Sequence, residues 1–153
     1  MAIRFRESDA RPLGRTARGV KAITLGREGD EVVGMDVIQE GKAILTVTET
    51  GFGRRSLPEN YRLQSRGGRG TINYHCGRFG KVAAVAVVDG GEDLILISSD
   101  GVLIRTAAAQ VSVTNRPAKG VRVMRTGEAE RVVTMVNIPA SEEEIIPEEE
   151  VQA

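Results

Sequence analysis

Tryptophan is absent from this 153-residue chain, and Phe and Tyr together make up only 3% of it. The core must therefore be built from Val, Ile, Leu and Ala, with rings too scarce to anchor every part of the fold. The single cysteine, Cys76, excludes an internal disulfide. Met1 to Arg6 lacks the apolar stretch of a signal peptide, and the longest apolar run, Val82 to Val88, falls far short of the roughly 20 residues that cross a bilayer. These absences point to a reducing cytoplasm and exclude membrane insertion. One histidine, His75, stands beside Cys76, and two ligands make no metal site, so His75 reads as a half-buried strand residue. Gly14 and Gly19 have phosphate-loop spacing, but Val20-Lys21 follows where Lys-Ser or Lys-Thr is required. No cofactor, metal or catalytic residue is expected.

What is present is charge, unevenly spread. The net charge is zero, yet the last 14 residues, from Ala140, hold six acids (Glu142, Glu143, Glu144, Glu148, Glu149, Glu150) and no base. Residues 1–139 keep 21 basic against 15 acidic side chains, a net of +6, and 17 of the 21 are Arg. Arginine is the better fork for a pair of phosphate oxygens. A cationic body thus carries an anionic tail over 140–153. The tail contains Pro147 and no periodic apolar face, and reads as disordered.

The body repeats about every 50 residues, a period that belongs to stacked or radial arrays. Gly19, Gly70 and Gly120 open similar stretches, preceded by Arg18, Arg69 and Lys119; Val32-Val33-Gly34-Met35 answers to Val82-Ala83-Ala84-Val85 and Val132-Val133-Thr134-Met135. Within a unit, β-branched runs bounded by turn residues predict strands over Val32 to Ile38, Ala43 to Thr48, and Phe52 to Leu57 with its counterpart Val102 to Thr106. A fourth is predicted over Thr71 to Cys76, Val20 to Leu25 and Val121 to Arg125. Four short strands per period describe one blade of an all-β, propeller-like fold, with no room for long helices. Residues 1–139 hold a little under three such units, fewer than a closed ring needs, and Met1 aligns with Phe52 in mid-unit. The chain therefore reads as part of a longer array or as a short arc that self-associates.

Gln64-Ser65-Arg66-Gly67-Gly68-Arg69-Gly70 resembles the basic, Gly-rich box of the DNA gyrase A subunit carboxy-terminal domain family, with Ser65 where that box usually has Arg. Ala2-Ile3-Arg4-Phe5, Gly14-Arg15-Thr16-Ala17-Arg18-Gly19-Val20, Glu31-Val32-Val33-Gly34-Met35, Gly101-Val102-Leu103-Ile104-Arg105-Thr106 and the acidic tail resemble the last units of the same domain, so the likeness covers almost the whole chain. It implies a β-pinwheel, a propeller relative usually of about six strand-exchanging blades. It also implies duplex DNA wrapped around the rim, with two partners in ATP-dependent negative supercoiling, the gyrase B subunit and the remainder of gyrase A. The family's box lies on its first blade, whereas here only about one further unit follows, which marks this copy as degenerate. The similar domain of topoisomerase IV is the close alternative. Tyr61 and Tyr74 lack the Arg-Thr context of the family's DNA-cleaving tyrosine.

The residues themselves point toward nucleic acid through columns. Arg15, Arg66 and Arg116 align, as do Arg18, Arg69 and Lys119, and Arg4, Arg55 and Arg105. A rim that follows a curved phosphate backbone needs a cation at each step, and amides at Gly19, Gly67, Gly68, Gly70 and Gly120 are placed to approach phosphates. The expected DNA contacts are Arg15, Arg18, Arg54, Arg55, Arg62, Arg66, Gly67, Gly68, Arg69, Gly70, Arg105, Arg116, Lys119 and Arg122. Stacking aromatics are scarce and no recognition helix is in sight, so contact goes to the backbone with little base reading. Two other readings stand beside this one. The columns pair with acids of a neighbouring unit (Glu31, Asp36, Glu40, Glu92 or Glu130), or they meet an acidic protein partner on a propeller-type platform. The acidic tail is expected to compete with DNA for the cations.

Overall fold

Strands form where apolar runs meet a glycine turn, and the repeat is visible in how they pair. The computed structural model describes residues 1–140. The six tail glutamates lie outside them. β1 (Ala43–Thr48) and β2 (Phe52–Ser56) make an antiparallel hairpin with Ile44 opposite Ser56 and Val47 opposite Gly53. Gly51 turns the chain at a φ of 79°, a value that side chains with a Cβ resist. β3 (Val82–Val88), from the next unit along the chain, lies antiparallel on the free edge of β1, and the two-residue β6 (Val121–Arg122) lies on the free edge of β2. This sheet runs β3-β1-β2-β6. A second sheet repeats the plan as β5-β4-β7, built from β4 (Glu92–Ser98), β5 (Leu103–Ala107) and β7 (Val132–Pro139). Even the irregularity recurs, at Val47/Thr48 in one sheet and Ile97/Ser98 in the other.

The core lies between these sheets. Leu45, Val47 and Val88 from the first meet Leu94, Leu96 and Val132 from the second, with Ala108 and Val111 closing one side, and all are buried. Each Leu or Val taken out of water contributes about 1.5–3 kcal/mol. Aliphatic residues dominate, as composition requires, but the middle unit also buries Tyr61 and Tyr74. Burial pushes the Tyr74 hydroxyl above its ordinary pKa, against the pull of the Arg54 guanidinium.

Three expectations fail. Val32 to Ile38 is not a strand, and Val32, Val33, Met35 and Val37 stay exposed. β3 and β7 reach strand geometry by pairing with β1 and β4, whereas no strand among the described residues pairs with 32–38. The segment instead lies beside β3, where the Val87 amide donates to Asp36 Oδ2 at 2.8 Å. The fourth strand shrinks to β6 and to isolated bridges such as Ala2 with Thr71. His75 and Cys76 are exposed at the start of a four-residue helix, α1 (Cys76–Phe79), and not on a half-buried strand.

Candidate functional site

The basic residues expected at one rim separate into three groups with different environments. Arg54 is the most unlike its expectation, because it is fully buried in the middle unit and faces no phosphate. Its Nε donates to Ser56 Oγ at 3.0 Å, Nη1 to Ala118 O at 3.2 Å, and Nη2 to Asn73 O at 2.5 Å and Asn73 Oδ1 at 2.7 Å. Its Cζ lies 4.3 Å from the centre of the Tyr74 ring. A buried guanidinium without a carboxylate survives because its donors reach neutral oxygens and its face meets a π system.

Two of the three arginine columns are clasps between units. Arg4 Nη1 donates to Pro58 O at 2.7 Å, and Arg55, one period later, donates from Nε to Val111 O at 2.7 Å and from Nη2 to Ala109 O at 3.4 Å. These carbonyls belong to or adjoin the 3-10 turns Pro58–Asn60 and Ala108–Gln110. The second column works in the opposite direction along the chain. Arg66 Nε donates to Asp9 O at 2.9 Å and Arg116 Nε to Asn60 O at 2.8 Å, and their Nη1 groups donate to Lys21 O and Ile72 O. The turn at 58–60 is thus held by Arg4 from one side and Arg116 from the other. The physical reason is supply: tight turns at unit junctions leave carbonyls unpaired, and a planar fork with five donors fits several at once. Two end members behave differently. Arg15 is exposed without a hydrogen bond or ion pair among the described residues, and Arg105 pairs with Asp93 Oδ2 at 2.5 Å across β5 and β4. Three of the acids expected to pair with the columns have other partners, Glu92 with Lys42, Asp36 with the Val87 amide and Glu130 with the Gly127 amide.

Two members of the glycine column, Gly70 and Gly120, are packed against backbone, while Gly19 is open. A Cβ at Gly70 would sit 2.2 Å from Ala2 O and one at Gly120 2.1 Å from Gly53 O, so what approaches these glycines is a neighbouring strand. The Gly67 amide is occupied by Ala22 O at 2.8 Å, while Gly68 O accepts from the Thr24 amide at 2.8 Å.

The third column remains open. Arg18, Arg69 and Lys119 are exposed in successive units, and Arg62 and Arg122 are exposed with them; none has an ion pair among the described residues. Lys119 and Arg122 share one support, since Lys119 Nζ lies 4.1 Å and Arg122 Cζ 4.4 Å from the centre of the Phe52 ring. Sequence reasoning missed Phe52, Phe79 and Arg78, whose Cζ is 5.3 Å from the Phe79 ring centre, because neither ring recurs with the period and the Arg78 position, basic again at Arg27, is acidic at Glu128. The β2–β6 pairing, which sets Phe52 opposite Arg122, is the signal that finds them. Among the described residues no cluster of three metal-ligating side chains occurs, and no helix is long and apolar enough to cross a membrane.

Comparison with known proteins agrees with this geometry. The model of the family described as "DNA gyrase C-terminal domain, beta-propeller" matches residues 1–39, 42–89 and 92–139. The chain is 46% identical over 154 aligned residues to the DNA gyrase A subunit of Staphylococcus aureus (strain NCTC 8325 / PS 47), a match that covers 97% of this chain and 17% of that protein. A solved DNA gyrase A C-terminal domain superposes with a TM-score of 0.75 at 26% identity, covering 87% of this chain and 45% of the other. The C-terminal domain of DNA topoisomerase IV superposes with a TM-score of 0.79 at 20% identity over 88% of this chain and 42% of that one, a likeness of fold alone.

Proposed function

Because the chain belongs to the DNA gyrase C-terminal domain family, a β-propeller family, we propose that it is a non-catalytic module that binds and wraps duplex DNA within a gyrase A subunit. Its partners are duplex DNA, gyrase B and the rest of gyrase A; supercoiling itself belongs to the holoenzyme. In this reading residues 1–139 are part of a pinwheel and 140–153 an acidic tail that competes for its cations. The observation that carries the proposal is the open column Arg18, Arg69 and Lys119, which offers one unpaired cation per unit along an array whose body bears +6. Identity of 46% to a gyrase A polypeptide supports the gyrase side of the alternative. The described residues contain no α-helix beyond the four-residue α1, so no recognition helix is available to a major groove. Affinity then comes from phosphates, and sequence preference from how readily the duplex bends.

A salt titration with a random duplex tests this. Each phosphate neutralised adds about 0.9 to the log-log slope, so Arg69→Gln and Arg62→Gln each lower the slope by about that amount. Arg66→Gln and Arg116→Gln leave the slope in place and lower the melting temperature, because those side chains hold carbonyls. A slope near zero for the unaltered chain would remove the proposal. In the same titration a chain ending at Pro139 binds more tightly at low salt, and equal affinity would rule out competition by the tail. Wrapping is read separately, from the linking number of circular DNA nicked, bound and resealed in the presence of the protein.

A further inference from the structure

We infer that Arg78, Lys119 and Arg122, seated on the rings of Phe52 and Phe79, form a single phosphate cradle in the middle unit and pin the duplex there more firmly than elsewhere on this chain. The inference rests on the DNA reading and names the site within it. The three cations form a connected group. Arg122 and Lys119 both lie within 4.4 Å of the Phe52 ring centre, Lys119 is 5.9 Å from the Phe79 centre, and Arg78 is 5.3 Å from that same centre. Phe52 and Phe79 are themselves 6.5 Å apart. No carboxylate forms an ion pair with any of the three among the described residues.

Like charges gathered without an acid repel one another, and something must offset that cost. The ring faces do so by their negative quadrupoles, which attract each cation without neutralising it or consuming its hydrogen-bond donors. A cation held by a π face keeps its charge and its N–H groups for an incoming oxyanion. An acid partner would cancel both.

The platform is also fixed in place. Phe79 stands edge-on to Tyr74 at 6.2 Å with an interplanar angle of 83°, and its carbonyl accepts from Thr50 Oγ1 at 2.5 Å. The Tyr74 hydroxyl donates to Lys119 O, and Arg54 holds the adjacent Ala118 O, so the backbone bearing Lys119 is tied down on both sides. Side chains placed before the ligand arrives lose less freedom on binding it. The arrangement is peculiar to this unit. Lys21 and Ile72 stand where Arg122 does and Arg27 and Glu128 where Arg78 does, but Met1 and Val102 replace Phe52 and Glu28 and Ala129 replace Phe79, so no other unit has the two rings. The open column is evenly repeated; the cradle is not.

Duplex titrations with the full chain test the assignment. Arg78→Gln is expected to lower affinity about tenfold at low salt and the log-log slope by about 0.9, although Arg78 lies outside the columns that are basic in all three units. Phe79→Leu, which keeps the apolar bulk and all three charges, is expected to weaken binding about three-fold with the slope unchanged, as the loss of a ring contact to a cation predicts. Arg122→Gln, which leaves both rings intact, covers the case in which Phe79→Leu perturbs the fold; it is expected to match Arg78→Gln. Binding by the unaltered chain with Arg78→Gln and Arg122→Gln both within twofold of it overturns the cradle and leaves the DNA reading standing. Failure of the unaltered chain to bind duplex overturns both.

Discussion

Arg54→Met will lower the stability of the folded chain by about 3–5 kcal/mol, moving the urea midpoint down by roughly 2 M. Replacing a buried ion pair by apolar residues is often harmless, because both charges leave together. Arg54 offers no such exchange. Its partners are the carbonyls of Asn73 and Ala118, the Asn73 amide oxygen and the Ser56 hydroxyl, and the two main-chain oxygens cannot be mutated away. Methionine fills most of the volume but takes the donor from the buried Asn73 carbonyl, at about 1–3 kcal/mol for a buried oxygen so stripped, and breaks the links to Ala118 O and Ser56 Oγ, while Asn73 Oδ1 keeps the Tyr61 hydroxyl. Lysine will not rescue the fold, since one ammonium cannot reach oxygens arranged around a planar fork. Equilibrium urea unfolding followed by circular dichroism measures the effect. A midpoint within about 0.3 M of the unaltered chain would show that the network contributes little.

Gly120→Ala should cost about 4 kcal/mol, and Gly19→Ala, at the same place in the repeat, only about 1–2 kcal/mol. Both glycines have positive φ, 75° and 84°, so both substitutions carry the backbone strain of a left-handed residue. Only Gly120 adds a collision. Its Cβ would stand 2.1 Å from Gly53 O and 2.8 Å from Arg54 Cβ, whereas a Cβ at Gly19 meets nothing within 4 Å. Relief requires β6 to leave β2, which breaks the Gly53–Val121 and Phe52–Arg122 register and loosens the ring beneath Lys119. Thermal unfolding of the two variants side by side is the test. Equal losses would mean that backbone strain alone sets the cost and that the close approach is irrelevant.

Much of the fold is legible in the chain before any coordinates. Ala43–Thr48 forms a strand over the residues predicted, and β2 and β5 fall within a residue or two of theirs, because β-branched runs ending at Gly or Asp-Gly leave little choice. Val32 to Ile38 has nearly the same text as β3 yet stays out of any sheet, since a strand is a property of two segments and composition describes one. The candidate site is legible in its repetition and not in its purpose. A recurring Arg is demanded equally by a recurring phosphate and by a recurring junction between units, and Arg55, Arg66 and Arg116 meet the second demand. Phe52, Phe79 and Arg78 escape notice for the opposite reason. The two rings depart from the repeat, the Arg78 column turns acidic at Glu128, and it is the pairing of β2 with β6 that sets Arg122 opposite Phe52.

The clasps at 58–60 and 108–110 join a charged donor to a neutral carbonyl at contact distance. Mobile ions screen charge from charge across several ångströms of water, and they have little purchase on a guanidinium already touching a peptide dipole. The scaffold and its cargo thus answer to different solvents. If the proposed duplex binding holds, brine that strips the polyanion from the surface leaves the joints between units closed, so the same frame is ready to be loaded again when the salt is withdrawn.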